Sequence, residues 1–291
     1  MSDTKISYSQ FSLWKSCKHR WELAYAKRLR SKVPTVHTVF GTAMHNTLQS
    51  YMVEIFKNGE PPLDIVVSLF ENMHVVFTEE LNKHKQLFSS PEELTEIYND
   101  GVNIVKFIHD RWLTYYNFND IESVDIELPI DIVPNANKPS LKFVAYLDVV
   151  KKYKNHRVVI QDYKTSKDGW NRFQINDESK IAQLILYRYF YSILYNTPIE
   201  NIDVEFFILK RKPSTPSLVT ILPIPNDALY TEMIVKEFNE FIDQGFNEDG
   251  SCNTMKVFDA TSGKNDNNCM FCEFKDQHDL CPPLKRIKSY G

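Results

Sequence analysis

Apolar residues along the first third of the chain recur at helical spacing. Phe11, Trp14, Cys17, Trp21 and Tyr25 fall on one face of a helix spanning residues 9–29. A second helix is predicted to begin near residue 41 in "GTAMHNTLQSYMVEIF", and two longer helical patterns, 61–88 and 91–117, are separated by the Ser-Pro helix start "SSPEEL". The pattern then changes. "SVDIELPIDIV", "KFVAYLDVVKKY" and "HRVVIQDYK" are short β-rich runs and predict three strands. A helix at 177–195, strands at 203–210 and 217–222 and a helix at 226–243 follow, leaving 246–291 irregular. This order predicts a mixed central α/β sheet flanked by helices, with a helical N-terminal cap. It is read as one domain with four regions: an N-terminal helix (1–40), a helical region (41–120), an α/β core (121–245) and a Cys-rich C-terminal segment (246–291).

Composition narrows the class. A chain of 291 residues, 43% hydrophobic and 25% charged, can bury a full core. Its formal net charge is −4, so affinity for nucleic acid would have to come from local clusters such as "KHRWELAYAKRLRSK", "LKRKP" and "LKRIK". The same clusters would serve equally as solvated helix faces and a tail. The first residues lack the basic start and apolar core of a signal peptide, and "LILYRYFYSILY" is interrupted by Arg188 and too short to cross a bilayer. The expected location is cytoplasmic, with no membrane partner. In that reducing setting the five cysteines argue against a disulfide framework and for a metal site.

The stretch "VVIQDYKTSK" (158–167) ends an apolar strand with an acid and a lysine two positions apart. If "KKYKNHR" turns a hairpin centred near 154 and 155, facing residues have numbers summing to about 310, which sets Asp148 opposite Asp162. Side chains alternate along a strand, so Lys164 shares the face of Asp162. Two like charges in that position call for compensation. A hard divalent cation held by both carboxylates would supply it, and a solvated acid pair with Lys164 as counterion is the alternative.

The ordered set "LD", "QDYKTS" and "QLILY" resembles the PD-(D/E)xK nuclease superfamily, specifically its RecB-like branch, with Asp148, Asp162, Lys164, Gln183 and Tyr187 at the motif positions and Gly41 and His45 of "GTAMH" at an upstream one. The resemblance implies a restriction-endonuclease-like fold and a metal-dependent DNA exonuclease. In that reading Asp148, Asp162, the Tyr163 carbonyl and His45 hold Mg²⁺ or Mn²⁺, the His nitrogen tilting preference toward Mn²⁺. Lys164 would orient water and stabilise developing charge, with Gln183 and Tyr187 on one helix face reaching the substrate or Lys164. His45 as a packed or capping residue, and Gln183 and Tyr187 as packing against the sheet, remain open. Glu127 matches an acid often found on the preceding strand and is assigned no catalytic role.

"CMFCEFKDQHDLC" places Cys269, Cys272 and Cys281 at a spacing that suits a thiolate site and leaves a fourth ligand to be found. By resemblance to an iron-sulfur subgroup of the branch, which includes AddB subunits and CRISPR-associated Cas exonucleases, Cys17 is the fourth and a structural [4Fe-4S] cluster staples the chain ends, with Zn²⁺ the alternative. His278 inside the eight-residue gap is also ligand-competent, and Cys252 is left over as a free thiol.

For substrate, the resemblance implies single-stranded DNA or DNA ends, with a helicase or recombination protein as partner and a phage origin compatible with the composition. Trp170 and Phe173 are candidates to stack on bases. Two other functions compete: a catalytically silent DNA-end-binding or scaffold subunit of a repair complex, disfavoured by the intact Asp148, Asp162 and Lys164, and a redox iron-sulfur protein, for which the sequence shows no second cofactor motif.

Overall fold

The computed structural model describes residues 3–30, 34–263 and 266–288. Its elements in chain order are β1 (Thr4–Ile6), α1 (Tyr8–Ser16), α2 (Lys18–Trp21), α3 (Val36–Asn58), α4 (Ile65–His84), α5 (Pro91–His109), α6 (Trp112–Tyr115), β2 (Ile121–Ile132), β3 (Leu141–Tyr153), β4 (Val158–Ser166), α7 (Arg172–Ile175), α8 (Glu178–Leu194), β5 (Ile202–Lys210), β6 (Val219–Ile224), α9 (Ala228–Gly245), β7 (Ala260–Thr261), α10 (Asn267–Met270) and β8 (Arg286–Ile287). They group into two compact units. One comprises Met1–Lys32, Pro129–Ala145 and Asp227–Gly291, the other Val33–Leu128 and Tyr146–Asn226.

In the larger unit the mixed α/β expectation holds. β4 runs antiparallel to β3 with Val149 facing Gln161 and Val150 facing Ile160, and parallel to β5 along its whole length. β6 returns antiparallel to β5. The parallel β4–β5 pair needs a crossover, and α8, which packs on β5, lies within it. Helix α3 starts at Val36, five residues before the expected glycine, because Thr35 and Thr38 form a reciprocal capping box. The 61–88 pattern shortens to α4, which ends at Lys85 in a left-handed conformation. The 91–117 pattern splits into α5 and α6; Ser90 caps α5 by accepting the Glu93 N–H at 3.2 Å. Phe40, Met44, Leu48 and Tyr51 of α3 bury against Ile104 and Ile108 of α5 and against Tyr163, Phe207 and Leu209 of the sheet. A fully buried Leu or Phe side chain contributes roughly 1.5–3 kcal/mol, so this layer is what holds α3 over the strands.

In the smaller unit the predicted helix over 9–29 is interrupted. Cys17 adopts an extended backbone (φ −159°, ψ 108°) between α1 and α2, and the turn after Trp21 widens into a single π-helical segment, Glu22–Ala26. The apolar period survives the break: Phe11 packs edge-on to Phe238 at 5.2 Å and Trp21 edge-on to Phe241 at 5.6 Å. β1 runs parallel to the start of β3. The Cys-rich segment, expected to be irregular, carries α10 and the two-residue pair β7–β8. No helix among the described residues is long and apolar enough to cross a membrane.

Candidate active site

The β3–β4 register keeps the sum of 310 throughout its paired residues. Continued one position past its last pair, Val149 with Gln161, that register sets Asp148 across from Asp162. Lys164, two residues on, forms an ion pair with Asp162. The Tyr163 N–H donates to Asp148 Oδ2 at 2.7 Å, fixing that carboxylate against β4. His45, half-buried on α3, brings Nδ1 to 3.4 Å from the same Oδ2.

Burial sets the charges here. Asp148 is pushed up to about 8, first by desolvation and then by the facing Asp162 charge, with Lys164 and the Tyr163 N–H pulling the other way. His45 is pulled down to about 4, chiefly by desolvation. At neutral pH the imidazole is thus uncharged with a free lone pair, while Asp148 keeps a proton that a cation would displace.

Gln183 and Tyr187, on α8, meet each other: Gln183 Nε2 donates to the Tyr187 hydroxyl at 2.8 Å. The Tyr187 phenol is raised first by burial and then by the Asp162 charge, with the Gln183 hydrogen bond pulling the other way. Sequence reasoning missed Gln49. Buried on α3 (3% exposed), it donates Nε2 to Glu127 Oε1 at 2.7 Å and to the Asp148 carbonyl at 2.8 Å. Glu127 occupies the left-handed region (φ 49°) within β2, a conformation uncommon for a non-glycine residue. The available signal was spacing, since Gln49 lies one helical turn after His45.

The second constellation lies in the smaller unit. Cys17, Cys269, Cys272 and Cys281 line one pocket together with Ala260 and Phe274, and none of them is disulfide-bonded. Cys17 Sγ accepts two backbone N–H bonds, from Arg20 at 3.4 Å and Thr261 at 3.3 Å. Burial raises the Cys269 and Cys272 thiols, each of which feels the Cys17 charge. Cys252 is not in this group; it bridges to Phe246. His278 is exposed and does not line the pocket.

Among the described residues no three His, Cys, Asp or Glu side chains close on a single point as a finished ion site. Both constellations are open arrangements of donors, and the donor chemistry fits a bound metal group in each. Hard oxygens and a neutral imidazole suit a divalent cation, and four unpaired thiols around one pocket suit a thiolate-held centre.

A family model described as the PD-(D/E)XK nuclease superfamily matches residues 5–281. No curated protein sequence matches the chain. Among solved structures, the fold is similar to a Eubacterium rectale protein whose name marks it as a candidate exonuclease, at 9% identity over 81% of this chain and 78% of that one, with a TM-score of 0.48. It also resembles SSO0001, at 13% identity over 81% and 85%, with a TM-score of 0.31. Both scores lie below 0.5, so the assignment rests on the family model.

Proposed function

From the premise that the chain belongs to the PD-(D/E)XK nuclease superfamily, we propose that it is a metal-dependent deoxyribonuclease of the RecB-like branch, acting as an exonuclease on single strands or DNA ends. The observation that carries this reading is the acid pair: Asp148 keeps its proton up to about 8 because it is buried and, next, because Asp162 faces it, a burden that a divalent cation relieves. Asp148, Asp162, His45 and the Tyr163 carbonyl would hold Mg²⁺ or Mn²⁺. Such a cation, when bound, acidifies water and neutralises charge on the phosphoryl oxygens. The protein's own part is positioning. The Tyr163 N–H fixes Asp148, Gln49 ties the Glu127 carboxylate to the Asp148 backbone, and Lys164 keeps an ammonium beside Asp162, placed to orient the attacking water and to steady the charge that develops in the transition state. Gln183 and Tyr187 border the same site from α8.

Cys17, Cys269, Cys272 and Cys281 would carry a structural [4Fe-4S] cluster, with Zn²⁺ as the alternative occupant. Support comes from the four thiols sharing one pocket and from the two N–H bonds to Cys17 Sγ. End-labelled single- and double-stranded DNA incubated with Mg²⁺ or Mn²⁺ tests the activity. Cleavage is expected with either ion and none in chelator, and Lys164→Ala should lower the rate roughly 100- to 1,000-fold while leaving DNA affinity largely intact. Wild-type cleavage by Lys164→Ala would remove the assignment.

A further inference from the structure

Beyond Lys164 the chain builds a rigid feature that the catalytic groups do not use. The loop after β4 is tied down on several sides: Ser166 Oγ donates to the Gly169 carbonyl at 2.9 Å, the Arg211 N–H to the Ser166 carbonyl at 3.0 Å and the Lys212 N–H to the Lys167 carbonyl at 2.6 Å. Gly169 takes φ +102°, and a Cβ there would lie 2.9 Å from Lys210 Cδ, so the loop presses on the lysine stem. Trp170 then packs on Phe206 with ring centroids 4.8 Å apart, and the Lys180 ammonium sits 4.7 Å from the Trp170 ring. Asn171 closes a capping box with Gln174 that locks the single turn of α7.

On this fixed turn Phe173 is 87% exposed, and Ile175 beside it is 37% exposed. Burying that ring would be favourable, yet the fold holds it outward. Of the other side chains this exposed, Leu63, Leu229 and Met255 offer no π-face, and Phe271, 84% exposed, is aromatic but belongs to the smaller unit. Phe173 differs also in location. The Phe206 ring that supports Trp170 lies 5.9 Å from the Lys164 ammonium, so Lys164, Phe206, Trp170 and Lys180 form a run from the acid pair to the loop that leads into α7 and to the start of α8. The charges around it are mixed. Lys167 and Arg172 are exposed, as are Asp168 and Glu178, and Asp177 is engaged in capping α8 and pairing with Lys180 at 3.2 Å.

We propose that Phe173 is a stacking platform for one unpaired nucleobase of the substrate, next to the phosphate at the acid pair, with Lys167 and Arg172 placed for the adjoining backbone. An aromatic ring flanked by cations and continuous with a phosphodiester-cleaving site matches a nucleotide, which joins a π-face to a phosphate. This rests on the nuclease reading above.

The test uses the full chain carrying Lys164→Ala, so that substrate survives, and a short single-stranded DNA containing one 2-aminopurine. The probe's fluorescence should be quenched on binding. Adding Phe173→Ala should remove the quench and weaken affinity roughly 5- to 150-fold, while Phe173→Trp retains both. An unchanged melting temperature in Phe173→Ala would show that folding is not the cause. Equal quench and affinity in Phe173→Ala would overturn the proposal. Failure of the nuclease reading looks different: the protein with Lys164 intact would leave DNA uncut with either ion, whatever the probe reports.

Discussion

At the scale of single residues, the acid pair and His45 bias the stability of the metal-free protein in opposite directions. Asp148 holds its proton up to about 8 when folded and to about 3.8 as an ordinary carboxyl, so between those values the folded state binds the extra proton and stability falls as pH rises. His45 is neutral down to about 4 when folded against 6.5 ordinarily, so over that window the unfolded state binds the extra proton and stability rises with pH. The two slopes nearly cancel up to about 6.5, which leaves a net fall between about 6.5 and 8. Asp148→Asn removes the repulsion and keeps an oxygen to accept the Tyr163 N–H. In chelator at pH 8 its melting temperature should exceed that of wild type by several degrees, at about 2–4 °C per kcal/mol for a chain of this size, and the gain should vanish near pH 4. Added Mg²⁺ should stabilise wild type and leave the variant unmoved. A variant no more stable than wild type at pH 8 would mean that burial and the Asp162 charge do not burden the Asp148 carboxylate. Gln49→Ala frees the strained Glu127 and should weaken Mn²⁺ binding, read by calorimetry, by roughly 10- to 100-fold if Gln49 acts as an outer-shell positioning residue.

Among the elements, the break between α1 and α2 shows a helix yielding to a side chain. A continuous helix through Cys17 would carry its thiol along the helix face. The extended residue instead turns Sγ back to accept the Arg20 N–H and meet Thr261. If the four thiols hold the proposed [4Fe-4S] cluster, protein purified without oxygen should be brown, and Cys17→Ala should bleach it as fully as Cys269→Ala, Cys272→Ala or Cys281→Ala, with Cys252→Ala keeping its colour. A colourless protein with one stoichiometric zinc would exchange the cluster for the ion, and colour indifferent to Cys17 would remove it from the ligand set. The loop before α7 makes a similar point about backbone. Gly169→Ala meets both a positive φ and the Lys210 stem, so it should destabilise by roughly 1 kcal/mol or more and loosen the support of Phe173.

For the whole molecule, a net charge of −4 offers no long-range attraction to nucleic acid. In the proposed nuclease reading, binding would rest on a short run of cations beyond the acid pair: Lys167, Arg172 and Lys180. Each phosphate neutralised on a single strand contributes about −0.7 to the slope of log K against log salt, so the measured slope should be no steeper than about −2. A much steeper slope would place the DNA along the more basic stretches near residues 18–32 and 284–288.

What the sequence determined by itself was local or periodic. The hairpin register followed from strand alternation and turn position, because pairing there depends only on residues within a few positions of the turn, and Asp148, Asp162 and Lys164 were placed by it. The Cys269, Cys272 and Cys281 spacing was likewise legible, as were the helices α3, α5, α8 and α9. Tertiary structure decided whatever depends on partners distant along the chain. Thr261 reaches Cys17 across 244 positions, and Gln49 bonds Glu127 across 78. No period connects such residues. The pKa values of Asp148 and His45 belong to the same class, since desolvation is a property of what packs around a group rather than of its neighbours in sequence. So does the division of labour between two adjacent aromatics: Trp170 is covered by Phe206 and Lys180, and Phe173, three residues later on the same support, is left facing solvent.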